Sequence, residues 1–210
     1  MKKLIAAALL AATSSVSLAG CAIYREAAST TSFTSSNWRE IATDDDRERL
    51  RNWRKAWDAA LPAARLANPQ AVAAEPILFD PDRALADAAL PAGAYRCRVY
   101  KLGKIGSGLR DFTAYPGFEC VVVAEGDITS FHKMTGSQRP TGLLFADTRA
   151  RQVFLGTLIL GDEVSPLRYG LDGMRDMAGY VERIGEHRWR LVLPWPRFES
   201  KLDIIELVPA

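Results

Sequence analysis

The chain has 210 residues, of which 25% are charged and 48% hydrophobic, with 15 Gly, 11 Pro, three Cys and two His. These proportions describe one globular domain with attachments and exclude a disordered or collagen-like chain. Lys2 and Lys3 account for the formal charge of +2. Without them 25 basic side chains face 25 acidic ones, too even a balance for a surface that neutralises many phosphates, so no nucleic-acid partner is expected.

Lys2 and Lys3 precede an apolar run of nine residues, Leu4 to Ala12, and small residues follow. That order is the order of a signal peptide, and the run falls well short of the ~20 apolar residues that span a bilayer. Leu18-Ala19-Gly20-Cys21 resembles the lipobox of bacterial lipoproteins, which implies cleavage before Cys21 and attachment of diacylglycerol and a further acyl chain such as palmitate to that residue. An ordinary signal peptide cut after Ala19 is the alternative. It would leave Cys21 as an odd thiol in an oxidising compartment, beside Cys97 and Cys120, which can pair. Residues 1–20 are therefore read as a lipoprotein signal peptide and Cys21 as the lipid-attachment site. Residues 21–37 are read as a lipidated tether, because 22–37 hold seven Ser or Thr and little apolar surface to fold around. Stretched out, the tether reaches roughly 50 Å. Ala22 rather than Asp after the cysteine places the protein, by the sorting rule of enteric lipoproteins, at the outer membrane facing the periplasm.

Thr43 followed by Asp44, Asp45 and Asp46 is a helix start, with a capping hydroxyl and acids where the unpaired amides lie. Leu50, Trp53, Trp57, Ala60, Leu61 and Ala64 then recur at three- and four-residue steps, predicting an amphipathic helix that kinks or restarts near Leu61, before Pro62. Residues 67–94, with Pro69, Pro76, Pro81 and Pro91, read as a connector, so 38–94 form a helical segment packing on a sheet.

From Tyr95 the period changes to two. Short alternating runs separated by Gly, Asp and Pro predict about eight antiparallel strands over 95–210, at 95–103, 111–123, 127–134, 140–146, 151–160, 178–184, 188–194 and 202–208. The expected fold is mainly β (α+β), a lipocalin-like barrel preceded by the amphipathic helix, with a sandwich as the alternative. In 188–194, Trp189, Leu191 and Leu193 share one face, and Arg188 and Arg190 share the other, as for a strand with one wet side. The run 153–160 is apolar on both faces and needs cover outside the sheet, for which Trp53 and Trp57 are the expected source. Cys97 and Cys120 lie on neighbouring strands, where a cross-strand disulfide is plausible, with the hairpin turn near Gly108 and Leu109. Free thiols or a redox pair are the alternatives.

No catalytic or metal constellation assembles. Ser130 and Lys133 match Ser-x-x-Lys, but on a strand a three-residue step sends them to opposite faces. Ser130 and His132 share a face without an elbow motif or an evident acid. His132 and His187 are too far apart for a metal pair, and no Cys-x-x-Cys occurs, so neither metal nor cofactor is expected. Residues 95–151 carry nine basic against five acidic side chains, and 152–210 seven against nine, a mild asymmetry that leaves room for a basic patch. Two polar, turn-rich segments are candidate ligand loops at a barrel mouth: Ser137, Gln138 and Arg139 in one, and Arg197 in Pro194-Trp195-Pro196-Arg197 in the other.

Trp53-Arg54-Lys55-Ala56-Trp57, Tyr95-Arg96-Cys97-Arg98, Thr135-Gly136-Ser137-Gln138-Arg139-Pro140, Phe154-Leu155-Gly156-Thr157, Asp176-Met177-Ala178-Gly179 and Pro196-Arg197-Phe198-Glu199-Ser200 together resemble the uncharacterised bacterial lipoproteins that share domain of unknown function 4893. The resemblance spans nearly all of the chain after the tether and implies no activity or site residue. The expected function is a lipid-anchored, non-enzymatic module that touches the membrane through acylated Cys21 and binds a small molecule, an envelope polymer or another envelope protein. A filled barrel acting through its outer loops is a variant of this. An envelope hydrolase built on Ser130, His132 and a distant acid is the alternative.

Overall fold

A computed structural model describes residues 37–107 and 110–210. The expected signal peptide, the expected lipid-attachment site Cys21, the expected tether up to residue 36 and the turn expected near Gly108 and Leu109 lie outside the described residues. Among the described residues four helices come first: α1 Trp38–Ile41, α2 Asp44–Arg51, α3 Trp53–Ala67 and α4 Pro69–Ala74. Eight strands follow: β1 Gly93–Lys104, β2 Phe112–Glu125, β3 Ile128–Lys133, β4 Gln138–Thr148, β5 Arg151–Leu160, β6 Asp176–Gly185, β7 Arg188–Pro194 and β8 Ser200–Pro209. Each strand pairs antiparallel with the next, and β8 returns to β1, so the sheet closes into an up-and-down barrel with no free edge. Among the described residues no helix is long and apolar enough to cross a membrane.

Alternation sorts the side chains. Cys97, Val122, Phe131, Phe154, Trp189, Leu191 and Leu207 point inward and belong to one contiguous cluster. Phe131 meets Phe154 edge to face at 6.0 Å, and Tyr95 meets Trp189 at 6.3 Å. The expected Cys97–Cys120 disulfide forms inside this cluster with Cα atoms 6.0 Å apart. It runs diagonally, because the register places Cys97 opposite Phe118 and Tyr95 opposite Cys120. Closing a loop of that size stabilises by about 3 kcal/mol in the chain-entropy model.

Thr43 caps α2 as its sequence implies, its Oγ1 accepting from the Asp46 amide at 3.3 Å. The helix break, however, falls at Asn52 and not near Leu61, and Pro62 sits inside α3. Pro62 is exposed, and the carbonyl it leaves unpaired belongs to Asp58, also exposed, so water can replace the missing bond. The break at Asn52 lets two short faces serve two patches of barrel. Trp38 and Leu50 cover the outer face of β5 and β6 at Val153, Leu155, Ala178 and Tyr180. Trp57 instead covers Tyr100, Leu102, Ile184, Val192, Leu202 and Ile204 on β1, β6, β7 and β8. The two-faced strand β5 is thus covered, but by Trp38, Leu50 and the edge of Trp53, while Trp57 packs on β1, β7, β8 and the far end of β6. Ala56, Ala60 and Ala64 allow a close approach: a Cβ on Gly103, which adopts φ +65°, would stand 2.9 Å from the Cα of Ala60.

The outer face of β7 is not wet. Arg190 has 0% of its surface exposed, as does its neighbour Glu182. The connector after α4 crosses this face and supplies the acceptors. The Arg190 guanidinium donates to Glu182 at 2.8 Å, to the carbonyls of Leu78 and Asp80 at 2.7 Å each, and to that of Arg83 at 3.1 Å, while stacking 5.0 Å from the Trp57 ring. Arg188 is tied down beside it by Glu75 at 2.6 Å and Glu206 at 2.5 Å.

Trp57 is 1% exposed at the centre of the contact between α3 and the barrel. Trp57→Ala is expected to destabilise the domain by about 3–5 kcal/mol in a denaturant titration. Asp58→Ala, on the exposed side of the same helix, should stay within about 0.5 kcal/mol of the parent.

Candidate functional site at the loop end of the barrel

The two ends of the barrel differ. At one end β2–β3, β4–β5 and β6–β7 are joined by two-residue links, and Leu90 joins the core cluster beside Tyr95 and Trp189. At the other end lie the longer connections: 105–111, 134–137, 161–175 and 195–199. This second end carries the buried polar groups.

Lys101 is inward and buried between Asp203 at 3.0 Å and Glu199 at 3.1 Å, and Ser200 bonds the other oxygen of Asp203. Burial works against the charge of Lys101, yet Asp203 and Glu199 outweigh it and hold the ammonium above its ordinary value. Burial also lifts the Asp203 carboxyl above the usual range, against the pull of Lys101 and Ser200. Lys133 is buried on the same side of the wall without a carboxylate partner. It donates to the carbonyls of Thr135 at 2.6 Å and Gln138 at 2.9 Å and lies 3.6 Å from the Phe118 ring. Burial, with Arg139 and Lys101 adding repulsion, pushes it down to about 8. Gly136, at φ +90°, folds over this ammonium, and a Cβ there would stand 2.8 Å from Nζ. Lys133 thus works as a clamp inside the 134–137 loop.

The residues expected at a barrel mouth are all here, and they knit its rim together. Ser137 is exposed and its carbonyl accepts from Gly161, while Gln138 supplies the carbonyl for Lys133. Arg139 donates to Gly136 and Gly161 at 2.7 Å and to Glu163 at 2.6 Å, all backbone oxygens, joining two loops. Arg197 pairs with Asp45 of α2 at 2.5 Å and donates to the Gly173 carbonyl at 3.2 Å. Lys101, Lys133, Glu199, Ser200 and Asp203 escape a sequence reading because they sit in three separate stretches of the chain, at 101, 133 and 199–203. One signal was present: on β1 the inward series Tyr95, Cys97 and Val99 ends in Lys101, a charge on the core face.

Beside the rim, α2, the start of α3 and the 195–199 loop enclose a cleft of about 360 Å³ lined by Asp45, Arg49, Asn52, Lys55, Trp195 and Arg197, among others. Trp195 has φ +49° and Glu199 φ +71°, both in the left-handed region that bulky side chains avoid. Trp195 also precedes a proline, which narrows its freedom further. Such conformations cost about 1–3 kcal/mol and persist where surrounding contacts enforce them. Here the contacts are the Trp195 indole N–H on the Asn52 carbonyl at 3.4 Å and Glu199 on Lys101.

Ser130 and His132 face outward from β3, on the opposite side of the barrel wall from Lys133. The His132 ring meets the Ser130 hydroxyl at 2.9 Å and, through Nδ1, the Thr141 hydroxyl. The imidazole thus meets a hydroxyl at each ring nitrogen. Burial pushes His132 down to about 4. Among the described residues no group of three His, Cys, Asp or Glu is placed to hold a metal ion.

No curated protein and no solved structure matches the chain. A family model described as domain of unknown function (DUF4893) matches residues 38–207, and the chain belongs to that family.

The neutral form of His132 is favoured in the fold, so the native state binds fewer protons than the unfolded chain between pH 4 and 6.5. Stability from this site is full above about pH 6.5 and falls by up to about 3 kcal/mol as pH drops through 4. Urea midpoints measured from pH 7 to 4 should decline more steeply for the parent than for His132→Gln.

Proposed function

We propose that this DUF4893 chain is a lipid-anchored module of the cell envelope, held at the outer membrane on the periplasmic side by acyl chains on Cys21, and that the loop end of its barrel is a ligand-binding face. The observation that carries the binding half is the asymmetry of the barrel. One end is closed by short links and Leu90, while the other gathers buried ions, Trp195 and Glu199 of the three described left-handed non-glycine residues, and a polar cleft where the long loops meet. Ligand sites in such folds lie preferentially at barrel mouths, and strained backbone outliers concentrate at working sites. Because inward side chains occupy the barrel itself, the ligand is taken on the rim and not within the barrel.

The anchoring half rests on the lipobox-like Leu18-Ala19-Gly20-Cys21 and the Ser/Thr-rich tether that follows. Several acyl chains, at ~0.8 kcal/mol per buried methylene, hold a protein at a bilayer without a spanning helix. Labelled palmitate is expected to enter the chain in cells and to be lost in Cys21→Ser, which should then leave the membrane fraction. Absence of label in the parent contradicts the anchor. For binding, the purified chain exposed to the small-molecule fraction of an envelope extract is expected to retain a bound mass in native mass spectrometry. Retention unchanged by loop-end substitutions contradicts the binding face.

A further inference from the structure

The cleft beside Trp195 contains a charged group whose hydrogen bonding is incomplete. Arg49 is 7% exposed, and its Nη2 is used by Asp46 and by the Asp176 carbonyl at 2.8 Å. Its buried Nε has no partner in the protein, and no bond engages Nη1. An unmet buried donor costs about 1–3 kcal/mol, more when charged, and each such group calls for an explanation. Arg197 lies close enough for its charge to disfavour that of Arg49, so two guanidinium groups converge on one cleft. Lys55 adds a third cation, exposed and outside any ion pair.

We propose that this cleft is a site for an organic monocarboxylate, whose carboxylate sits between Arg49 and Arg197 and whose apolar or aromatic body rests against Trp195. The inference rests on reading the loop end as a binding face and names the class of ligand it takes. Planar guanidinium groups match carboxylate geometry, and charge-assisted bonds to them are about twice as strong as neutral ones. Arg49, Lys55 and Arg197 are balanced by Asp45, Glu48 and the buried Asp46 on Arg49, so one positive charge is freed when Asp45 swings out to solvent, which a monoanion balances and a phosphate dianion overshoots. Room for the ligand comes from Asp45: it is mostly exposed, and surface ion pairs such as Asp45–Arg197 contribute only about 0–1 kcal/mol. A bound carboxylate can therefore take its place on Arg197 at small cost. Trp195 is fixed by Asn52 and by prolines on both sides, so its ring requires little ordering on binding.

The test is calorimetric titration of the full chain with benzoate, benzamide and phenyl phosphate. Benzoate is expected to bind at least about tenfold more tightly than the other two. Arg197→Gln should weaken benzoate about tenfold, and Asp45→Asn should tighten it several-fold by releasing Arg197, with both variants melting close to the parent. A purely structural Asp45–Arg197 pair would not move binding in opposite directions. Benzamide binding as well as benzoate overturns the carboxylate assignment while leaving the loop end a binding face. Stronger binding of phenyl phosphate overturns the monoanion argument, and absence of binding by all three probes overturns the proposal. The binding face itself falls only if the extract also yields no retained mass dependent on the loop end.

Discussion

The buried Arg190–Glu182 pair is the interaction on which the arrangement of this protein depends. A closed barrel needs its wide outer faces covered, and here the cover is a series of helices and a proline-rich connector that buries Leu78 and Phe79 on the barrel but has no regular ladder to pair its carbonyls. Arg190 solves this by gathering Glu182, three carbonyls of the 78–83 stretch and the face of Trp57 around one guanidinium. A charge removed from water is tolerated only when its donors and its partner are satisfied, and this one is placed so that only the correctly folded connector satisfies it. Trp57, in turn, sets α3 against β1 and β8, and the break at Asn52 sends α2 toward the loop end. The cleft at Trp195 exists because of that chain of positions.

At the loop end the same economy operates with exposed as well as buried charges. Arg139 links the 134–137 and 161–175 loops, and Arg197 links 161–175 to the 195–199 loop and α2. Lys101 pulls Glu199 inward from a strained backbone. These clamps hold the rim in one geometry, which is what a pre-organised binding surface requires. Tyr169 extends the system: its hydroxyl bonds Asp46 at 2.5 Å and accepts from the Thr43 amide, fixing the long loop to the start of α2.

Much of the barrel was legible in the sequence because a period of two, interrupted by turn residues, is a local signal, and all eight strands lie within a few residues of where it placed them. The cap at Thr43 was legible for the same reason. The disulfide followed from inward parity on adjacent strands. What was not legible depended on distant partners. Arg190 alternates with Trp189 and Leu191 as a solvent-facing residue would, and nothing in 188–194 reveals that residues a hundred positions earlier cross over it. Pro62 was the obvious helix breaker, but the break belongs to Asn52, where two apolar faces must diverge. At the candidate site, Arg139 and Arg197 were found from loop composition. Lys133 and Asp203 were not, since a charged residue near a strand end reads as solvated until the closure of the barrel turns it inward.

Amide hydrogen exchange on Arg190→Met tests the central claim most directly. Loss of the guanidinium leaves buried Glu182 with Arg151 as its one remaining ion-pair partner and takes the Arg190 donors away from three carbonyls, so amides of the 78–86 connector and of α3 should exchange much faster, while β2 to β4, which Arg190 does not touch, keep their protection. Unchanged protection across 78–86 and α3 would contradict it, because the connector and the helix would then be held to the barrel by something other than this residue.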